Sequence, residues 1–557
     1  MELQAITPLD ALFVGYEDQE DLGLRSIAAT LNANGWRAAV QPHTPGDVFT
    51  VLAAIQACRP RLVGFSILFQ AMLEEFGALM GALRTAGVTA HFTCGGHYPS
   101  LRPRETLQAL PQVDSVVRFE GELTALELMD HLDAPESWPA IRGLAYRQGR
   151  EITVTPPRPL IADLDSLPPP LRGEPQAVSR GIRAAAMLAG RGCVNDCSLC
   201  SIGQSCGGTA GPLRRRRSAD AVVREMQALF DRDGVTFFFF QDDDLAGRSG
   251  QQRQWLAEFL DALDAAGLSD RIGWKISCRA DDVEEDAIAA CQRRGLSAIY
   301  LGAESGSPAG LRTLDRRVAV ERNLRAIAIL KKLDLAFEMG CMLFDPDSTV
   351  DSVQENIDFL REATGDGGCL ASFCKMLPFA GAPIEARLAR EGRLRGTTAW
   401  PDYSFLDQRL EWYGLFAAQA FQFRNFDCLG LAGRLGVARF DQVLARRFQP
   451  GAGLDAYGRE LARLTARANH LMLDTLQRAL DFVKARDGYG IAHDFAVLNV
   501  LAHGEVRAEL GLQQELDGIL ARYSPQLHRA FSKEFARRAA YSEADRAPAF
   551  AHAPAGV

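Results

Sequence analysis

The sequence predicts an α/β protein in three parts: an N-terminal doubly wound, Rossmann-like domain, a partial (β/α)6 barrel and a C-terminal helical domain. Three observations lead there. Between Ala11 and His131 five short apolar runs alternate with five amphipathic segments. A second series of six βα pairs runs from Ala184 to Leu377. Beyond Tyr403 the apolar residues recur at helical spacing.

In the first series the strands are expected at Ala11–Gly15, Arg37–Gln41, Leu62–Ser66, Thr89–Cys94 and Ser115–Phe119. The helices are expected at Leu22–Ala33, Val48–Ala57, Ala71–Thr85, Arg104–Leu110 and Leu123–Leu132. Short apolar runs separated by helices imply parallel strands joined by crossovers. Ligands of such a sheet lie outside the carboxyl ends of its strands. The loops there are Gly15–Gly23, Ser66–Gln70, Cys94-Gly95-Gly96-His97-Tyr98-Pro99 and Phe119-Glu120-Gly121-Glu122. A hairpin pattern follows over Gly143–Val154, and then the proline-dense segments 156–159 and 168–170, which suit an extended linker. The expected domain limits are 1–140, then 141–180 for hairpin and linker, 181–400 for the barrel and 401–545 for the helices. A tail over 546–557, rich in Ala and Pro, is expected to be disordered.

The barrel strands are expected at Ala184–Ala189, Val235–Phe240, Ile272–Cys278, Ala298–Gly302, Ala336–Leu343 and Ser372–Leu377. Ser218 is the expected N-cap of a helix over Ala219–Phe230, with Asp220 in its first turn. Polar residues gather at the strand ends, where barrels place their chemistry: Gln241-Asp242-Asp243-Asp244, Arg279-Ala280-Asp281 and Gly302-Ala303-Glu304-Ser305-Gly306. Each alone is a weak signal, since acidic clusters after strands are usually helix caps or solvated turns. The C-terminal helices are expected at Gln419–Asn425, Leu431–Phe448, Leu454–Arg486, Ile491–Leu501 and Leu510–Tyr523. Tyr403, Phe405, Trp412, Tyr413, Phe416, Phe421 and Phe423 read as docking core before substrate cavity, and His470, His493 and His503 lack ligand spacing.

The most informative stretch is Gly190-Arg191-Gly192-Cys193-Val194-Asn195-Asp196-Cys197-Ser198-Leu199-Cys200. A strand ending in glycines, then Cys-x3-Cys-x2-Cys, suits an iron–sulfur cluster: thiolates are soft ligands, and glycines let the backbone fold closely around it. Three ligands for four irons leave one iron open for chemistry. The alternatives are a zinc site, with Cys206 as a further ligand, or three unrelated thiols; zinc usually shows paired Cys-x2-Cys units.

Composition narrows the classes. A net charge of −9 argues against nucleic-acid binding over a broad basic surface. The run Arg214–Arg217 reads as a solvated turn ahead of a helix. Twelve cysteines in 557 residues are too sparse for a disulfide scaffold, and Cys58, Cys94, Cys278, Cys291, Cys341, Cys369 and Cys374 read as small core residues. Met1–Ala5 shows no basic region followed by an apolar core and no stretch reaches the length of a membrane span, so no signal peptide and a cytoplasmic setting are expected.

The cysteine loop resembles the signature of radical S-adenosylmethionine (radical SAM) enzymes. Asp21-Leu22-Gly23-Leu24-Arg25, Gly64-Phe65-Ser66, Gly95-Gly96-His97-Tyr98-Pro99 and Glu120-Gly121-Glu122 resemble the domain that precedes the barrel in the cobalamin-dependent members, class B methyltransferases among them. The resemblance implies a [4Fe-4S] cluster on Cys193, Cys197 and Cys200. It implies SAM beside Gln241, Asp242, Asp243, Arg279 and Glu304. It implies cobalamin beside Tyr16, Glu17, Ser66, Phe69, Gln70, Gly95, Gly96, His97, Glu120 and Gly121. Many cobalamin domains carry Asp-x-His-x-x-Gly, whose histidine binds cobalt. Here the match is Asp18-x-Glu20-x-x-Gly23, so no histidine is expected from that loop. The implied activity is radical C-methylation of a small natural product or biosynthetic intermediate, with an external electron donor of flavodoxin or ferredoxin type and no nucleic-acid or membrane partner. Ring rearrangement or ring closure within the same family is the alternative, and a cobalamin- or cluster-binding sensor without turnover is the rival from another class.

Overall fold

The computed structural model describes residues 8–18, 20–207, 211–247 and 249–544. The side chain of Cys206 and the expected tail over 546–557 lie outside the described residues. The chain divides into two compact units. One comprises the chain up to Ala177 with Ile182–Asn356 and Cys374–Glu411; the other comprises Val178–Gly181, Ile357–Phe373 and the chain from Trp412 onward.

The first sheet is built from β1 (Ala11–Gly15), β2 (Ala38–Pro42), β3 (Leu62–Ser66), β4 (His91–Gly95) and β5 (Ser115–Val117), with β6 (Leu144–Gln148) and β7 (Glu151–Val154). Its order is β2-β1-β3-β4-β5-β6-β7. The first five strands are parallel, and β6 and β7 are antiparallel. The hairpin expected over Gly143–Val154 is therefore the continuation of this sheet. The order reverses between β1 and β3, which places the ligand crevice at their carboxyl ends. Helices α1 (Leu22–Ala33), α2 (Val48–Cys58), α3 (Leu73–Thr85), α4 (His97–Leu101), α5 (Pro103–Ala109) and α6 (Glu122–Asp130) complete this part. Asp21 starts α1 by accepting from the Leu24 amide at 3.0 Å. Leu12, Val14, Val63, Phe65 and Phe92 are buried on one face of the sheet against α3, with Phe76, Leu79 and Met80.

The second sheet is the expected half barrel. Its strands are β8 (Gln176–Ala177), β9 (Arg183–Met187), β12 (Val235–Phe240), β13 (Gly273–Arg279), β14 (Leu296–Glu304), β15 (Ala336–Phe344) and β16 (Cys374–Lys375). A separate ribbon is formed by β10 (Gly190–Arg191) and β11 (Arg215–Arg216). The strands from β9 to β16 run parallel, and β8 is an antiparallel edge. The sixth strand, expected over Ser372–Leu377, pairs only at Cys374 and Lys375; Pro378 follows and cannot donate to a ladder. The helices are α7 (Ile202–Gly207), α8 (Ala219–Asp233), α9 (Gly250–Ala265), α10 (Glu285–Arg293), α11 (Pro308–Thr313), α12 (Val320–Lys332), α13 (Val350–Thr364) and α14 (Pro383–Arg390). Ser218 caps α8 as expected, accepting from the Ala221 amide at 3.2 Å.

The C-terminal helices are α15 (Arg409–Phe426), α16 (Leu431–Phe448), α17 (Leu454–Lys484), α18 (Gly488–His493), α19 (Ala496–Tyr523) and α20 (Pro525–Ala544). The separate helices expected over Ile491–Leu501 and Leu510–Tyr523 are replaced by the short α18 and a continuous α19. Gly504, Gly511 and Gly518 lie within α19 on its open side. Each glycine costs about 1 kcal/mol in a helix, and burial of Leu512, Leu516, Ile519 and Leu520 against α16 and α17 outweighs this. Tyr413, Phe416 and Phe421 are buried core, while Phe423 is half exposed. No described helix is long and apolar enough to cross a membrane.

Candidate functional site: a thiol loop between two sheet edges

The cysteine loop leaves the end of β9 and is clamped at its base. Gly190 and Arg191 pair with Arg216 and Arg215, and a Cβ on Gly190 would lie 2.7 Å from the Arg215 carbonyl oxygen, so only glycine fits. Gly192 adopts φ +80, a left-handed conformation that glycine takes freely. The far side of the loop is tied by Ser198, whose amide donates to Leu314 O at 3.1 Å and whose hydroxyl donates to Thr313 O at 2.7 Å.

Each thiol meets N–H donors. Cys193 Sγ accepts from Asn195 Nδ2 at 3.3 Å, and Cys200 Sγ from the Ile202 amide at 3.4 Å. Cys197 Sγ accepts from Arg279 Nη1 at 3.3 Å and Arg316 Nη1 at 3.4 Å. Burial pushes the Cys200 thiol up to about 11, and charge on Asp243, Cys197 and Cys193 adds to it. Among the described residues no three His, Cys, Asp or Glu converge as ligands of a single ion would. Cluster ligands each bind a different iron, and a neighbouring set of three separate thiols with N–H donors on every sulfur fits that group.

The residues expected around SAM divide by role. Asp242 accepts from the Ala189 amide at 2.9 Å and so braces the entry to the cysteine loop; burial raises its carboxyl to about 6. Asp243 accepts from the Gly192 amide, and burial again raises its carboxyl. Gln241 is exposed, and its side chain reaches Glu20 O at 3.4 Å. Arg279 turns onto Cys197 and is held by Asp281 Oδ1 at 2.9 Å. Glu304 ends β14 at φ +65 and stands 3.8 Å from Arg316 Nη2. Burial raises the Glu304 carboxyl against the opposing pull of Arg316 and Arg279.

Many residues expected around cobalamin are engaged in ties. Glu17 pairs with Arg25 at 2.6 Å. Gln70 is buried: its Nε2 donates to Thr398 O at 2.9 Å, and its Oε1 accepts from the Ala380 amide at 2.8 Å. Glu120 accepts from Arg215 at 2.7 Å, Arg191 at 3.3 Å and the Ile161 amide at 2.8 Å. Gly121 lets its loop pack on α1, since a Cβ there would lie 2.6 Å from Ile27 Cδ1. Gly96 sits at φ +112, where a Cβ would lie 2.6 Å from the Ile67 carbonyl carbon. Gly95 closes β4, and the half-buried His97 opens α4, which packs on α7 just beyond Cys200. Ser66 is buried at the end of β3. Tyr16 stacks on His43 with centroids 5.9 Å apart, and Phe69 is exposed beside Phe379, 5.5 Å away.

Two features were not legible. The run Arg214–Arg217 is no solvated turn: Arg215 is buried on Glu120, Arg217 pairs with Glu225 at 2.6 Å, and Arg214 lies 3.6 Å from Asp244. Glu120 lies 95 residues from Arg215 and Asp244 30 residues from Arg214, so the run alone carried no signal of these pairings. Arg316 also escaped notice, since it lies in a turn with no motif. By contrast Glu20, where the histidine of Asp-x-His-x-x-Gly would stand, is buried at φ +58. It accepts from the Ala186 amide of β9 and pairs with Arg172 at 3.2 Å and Arg25 at 3.5 Å. Arg172 continues to Glu225 at 2.6 Å.

The two sheet edges correspond to two known families. Residues 10–129 match the B12 binding domain, and residues 187–360 match the radical SAM superfamily, together more than half of the chain. This chain belongs to the cobalamin-dependent radical SAM enzymes. The family uses a [4Fe-4S] cluster, SAM and cobalamin as cofactors. Its relatives include an uncharacterized methyltransferase of Pyrococcus horikoshii, 26% identical over 62% of this chain and 73% of the relative. Cytidylyl-2-hydroxyethylphosphonate methyltransferase of Streptomyces wedmorensis is 23% identical over 67% of this chain and 78% of its own length. Anaerobic magnesium-protoporphyrin IX monomethyl ester cyclase of Cereibacter sphaeroides is 29% identical over 52% of this chain and about half, 47%, of its own length. Among solved structures, the cobalamin-dependent radical SAM enzyme OxsB, with aqua-cobalamin and SAM bound, superposes with a TM-score of 0.66 at 14% identity, covering 95% of this chain and 84% of its own. The methyltransferase TsrM from Kitasatospora setae gives 0.56 at 17% identity, covering 69% and 75%. These last two likenesses concern the fold.

Proposed function

We propose that this enzyme is a radical C-methyltransferase, acting by way of cobalamin on a small natural product or biosynthetic intermediate. The observation that supports it most is a juxtaposition: the cysteine loop at the end of β9 lies against the glycine loop after β4, through α7 and α4. Cys193, Cys197 and Cys200 would hold the cluster; Gln241, Asp242, Asp243, Arg279 and Glu304 would frame SAM; the loops after β1, β3, β4 and β5 would frame the corrinoid. When bound, these cofactors supply an electron, a hydrogen-abstracting radical and a methyl group. The chain's own part is positional. Asp242 and the β10–β11 ribbon fix the thiol loop, and Gly96 lets the corrinoid loop pack closely on the Ile67 backbone. The ties of Glu20, Gln70 and Glu120 keep the two edges in register and exclude water between them. Relatives named methyltransferase support methylation, and the cyclase relative supports ring closure as the second reading.

The deciding experiment needs no known substrate. The protein, reconstituted anaerobically with iron, sulfide and cobalamin, is reduced with SAM, and 5′-deoxyadenosine and S-adenosylhomocysteine are quantified by mass spectrometry. Both products, with S-adenosylhomocysteine dependent on cobalamin, are expected. Deoxyadenosine alone would overturn methylation in favour of ring closure or rearrangement, and neither product would overturn both.

A further inference from the structure

We infer that Arg316, together with Arg279, is a positioning residue that sets the reduction potential of the cluster through Cys197. The inference rests on the assignment of Cys193, Cys197 and Cys200 as cluster ligands. The three thiols are not equivalent. Among the described residues, Cys193 and Cys200 accept from neutral amides, whereas Cys197 accepts from two guanidinium groups.

The pair is built into the fold. Arg316 Nη2 donates to Gly302 O at 2.8 Å, and Arg279 Nη2 donates to Arg316 O at 2.9 Å. Gly302 leaves the room: a Cβ there would lie 2.8 Å from Glu304 Oε1 and 3.3 Å from Arg316 Nη2. Both neighbours of Arg316 adopt left-handed conformations, Asp315 at φ +48 and Arg317 at φ +44. Strained non-glycine backbone of this kind persists where surrounding structure enforces it, and it gathers at functional sites. Here it turns Arg316 inward, to 7% exposure, while Arg317 remains 72% exposed in its side chain.

Charged N–H donors on a thiolate ligand draw electron density from the sulfur and favour the reduced, more negative cluster; burial strengthens that pull. Glu304, 3.8 Å from Arg316, opposes it. Two cations and one carboxylate therefore act on one ligand of the three, and their effects on the potential have opposite signs.

The test is an EPR-monitored redox titration of the reconstituted full-length protein without SAM, so that SAM binding does not enter. In Arg316→Gln the midpoint is expected to be more negative. At the poise that half-reduces the native cluster, the variant is expected to be about one-tenth reduced, a roughly tenfold change in ratio or about 59 mV. Glu304→Gln is expected to move the midpoint the other way, and Arg316→Lys, which keeps charge but loses the fork, to fall between Arg316→Gln and native. An unchanged or less negative midpoint in Arg316→Gln at full iron content overturns the inference. If Arg316→Gln holds no iron, unchanged midpoints in both Arg316→Lys and Glu304→Gln overturn it. Iron and sulfide content of Cys197→Ala reports separately on the cluster assignment: full content there removes that assignment.

Discussion

The two sheets share a plan, parallel strands with antiparallel pairing at one edge, yet their carboxyl ends are used in opposite ways. The first sheet commits its polar strand-end residues to the barrel part of the chain: Glu20 to Arg172 and the β9 backbone, Glu120 to Arg191 and Arg215, Gln70 to Thr398 and Ala380. What it leaves for a ligand is mostly glycine backbone and half-buried rings. The second sheet keeps reactive groups at its edge and directs charge onto them, as Arg279 and Arg316 do on Cys197. A large flat cofactor is held by shape, for which backbone and packing suffice, whereas an electron-transfer centre needs specific atoms and specific charges.

The comparison is broken most severely at the thiols. Cys197→Ala is expected to lose the cluster's visible absorbance and to reduce 5′-deoxyadenosine formation to background, measured by mass spectrometry against protein of equal cobalamin content. Normal SAM cleavage by that variant would remove the site from the second sheet's edge. Next comes the tie at Glu20. Glu20→Ala leaves Arg172 and Arg25 buried with one partner fewer, and loss of one member of a buried pair costs about 3–5 kcal/mol. Denaturant unfolding followed by circular dichroism should show it; a change below about 1 kcal/mol, the size of a surface pair, would show that the tie is ornamental.

A smaller effect is expected where the first sheet meets its ligand through backbone alone. Gly96→Ala forces a left-handed residue against the Ile67 carbonyl, a strain of about 1–3 kcal/mol. Its expected signature is lower cobalamin retention through gel filtration with iron content unchanged. The smallest effect is a slope. The Asp242 carboxyl is raised from 3.8 to about 6 by burial, so the folded protein binds the extra proton more readily than the unfolded chain. Its stabilising contribution is full below about pH 4 and is lost as pH rises through 6, amounting to about 1–3 kcal/mol. Asp242→Asn should flatten that part of the pH profile of the unfolding midpoint, and an unaltered slope would place the titration elsewhere.

Legibility followed the range of the interactions. Strands such as Leu62–Ser66 and Val235–Phe240 and helices such as Leu22–Ala33 and Leu431–Phe448 could be read to the residue, because apolar periodicity and caps are local. The thiol spacing was equally local. Partners far apart in sequence were not: nothing near Arg215 announces Glu120, 95 residues away, and nothing near Gln70 announces Ala380, 310 residues away. Nor does a sequence display left-handed turns at non-glycine residues, which is why Arg316 stayed hidden between Asp315 and Arg317. The gap expected between Leu501 and Leu510 holds Gly504 and is helical, since a glycine on an open helix face is tolerated when the opposite face is packed.

Glu20 constrains how this enzyme could be re-engineered. A cobalt-binding histidine and an interdomain carboxylate compete for one position, so the loop can supply the latch or the ligand but not both. Installing the ligand is therefore not a one-step change. Glu20→His would remove a carboxylate from two arginines and a β9 amide, and the new ring would begin where those groups hold it, turned toward the barrel. Cob(II)alamin bound to either protein is therefore expected to show no imidazole superhyperfine splitting by EPR.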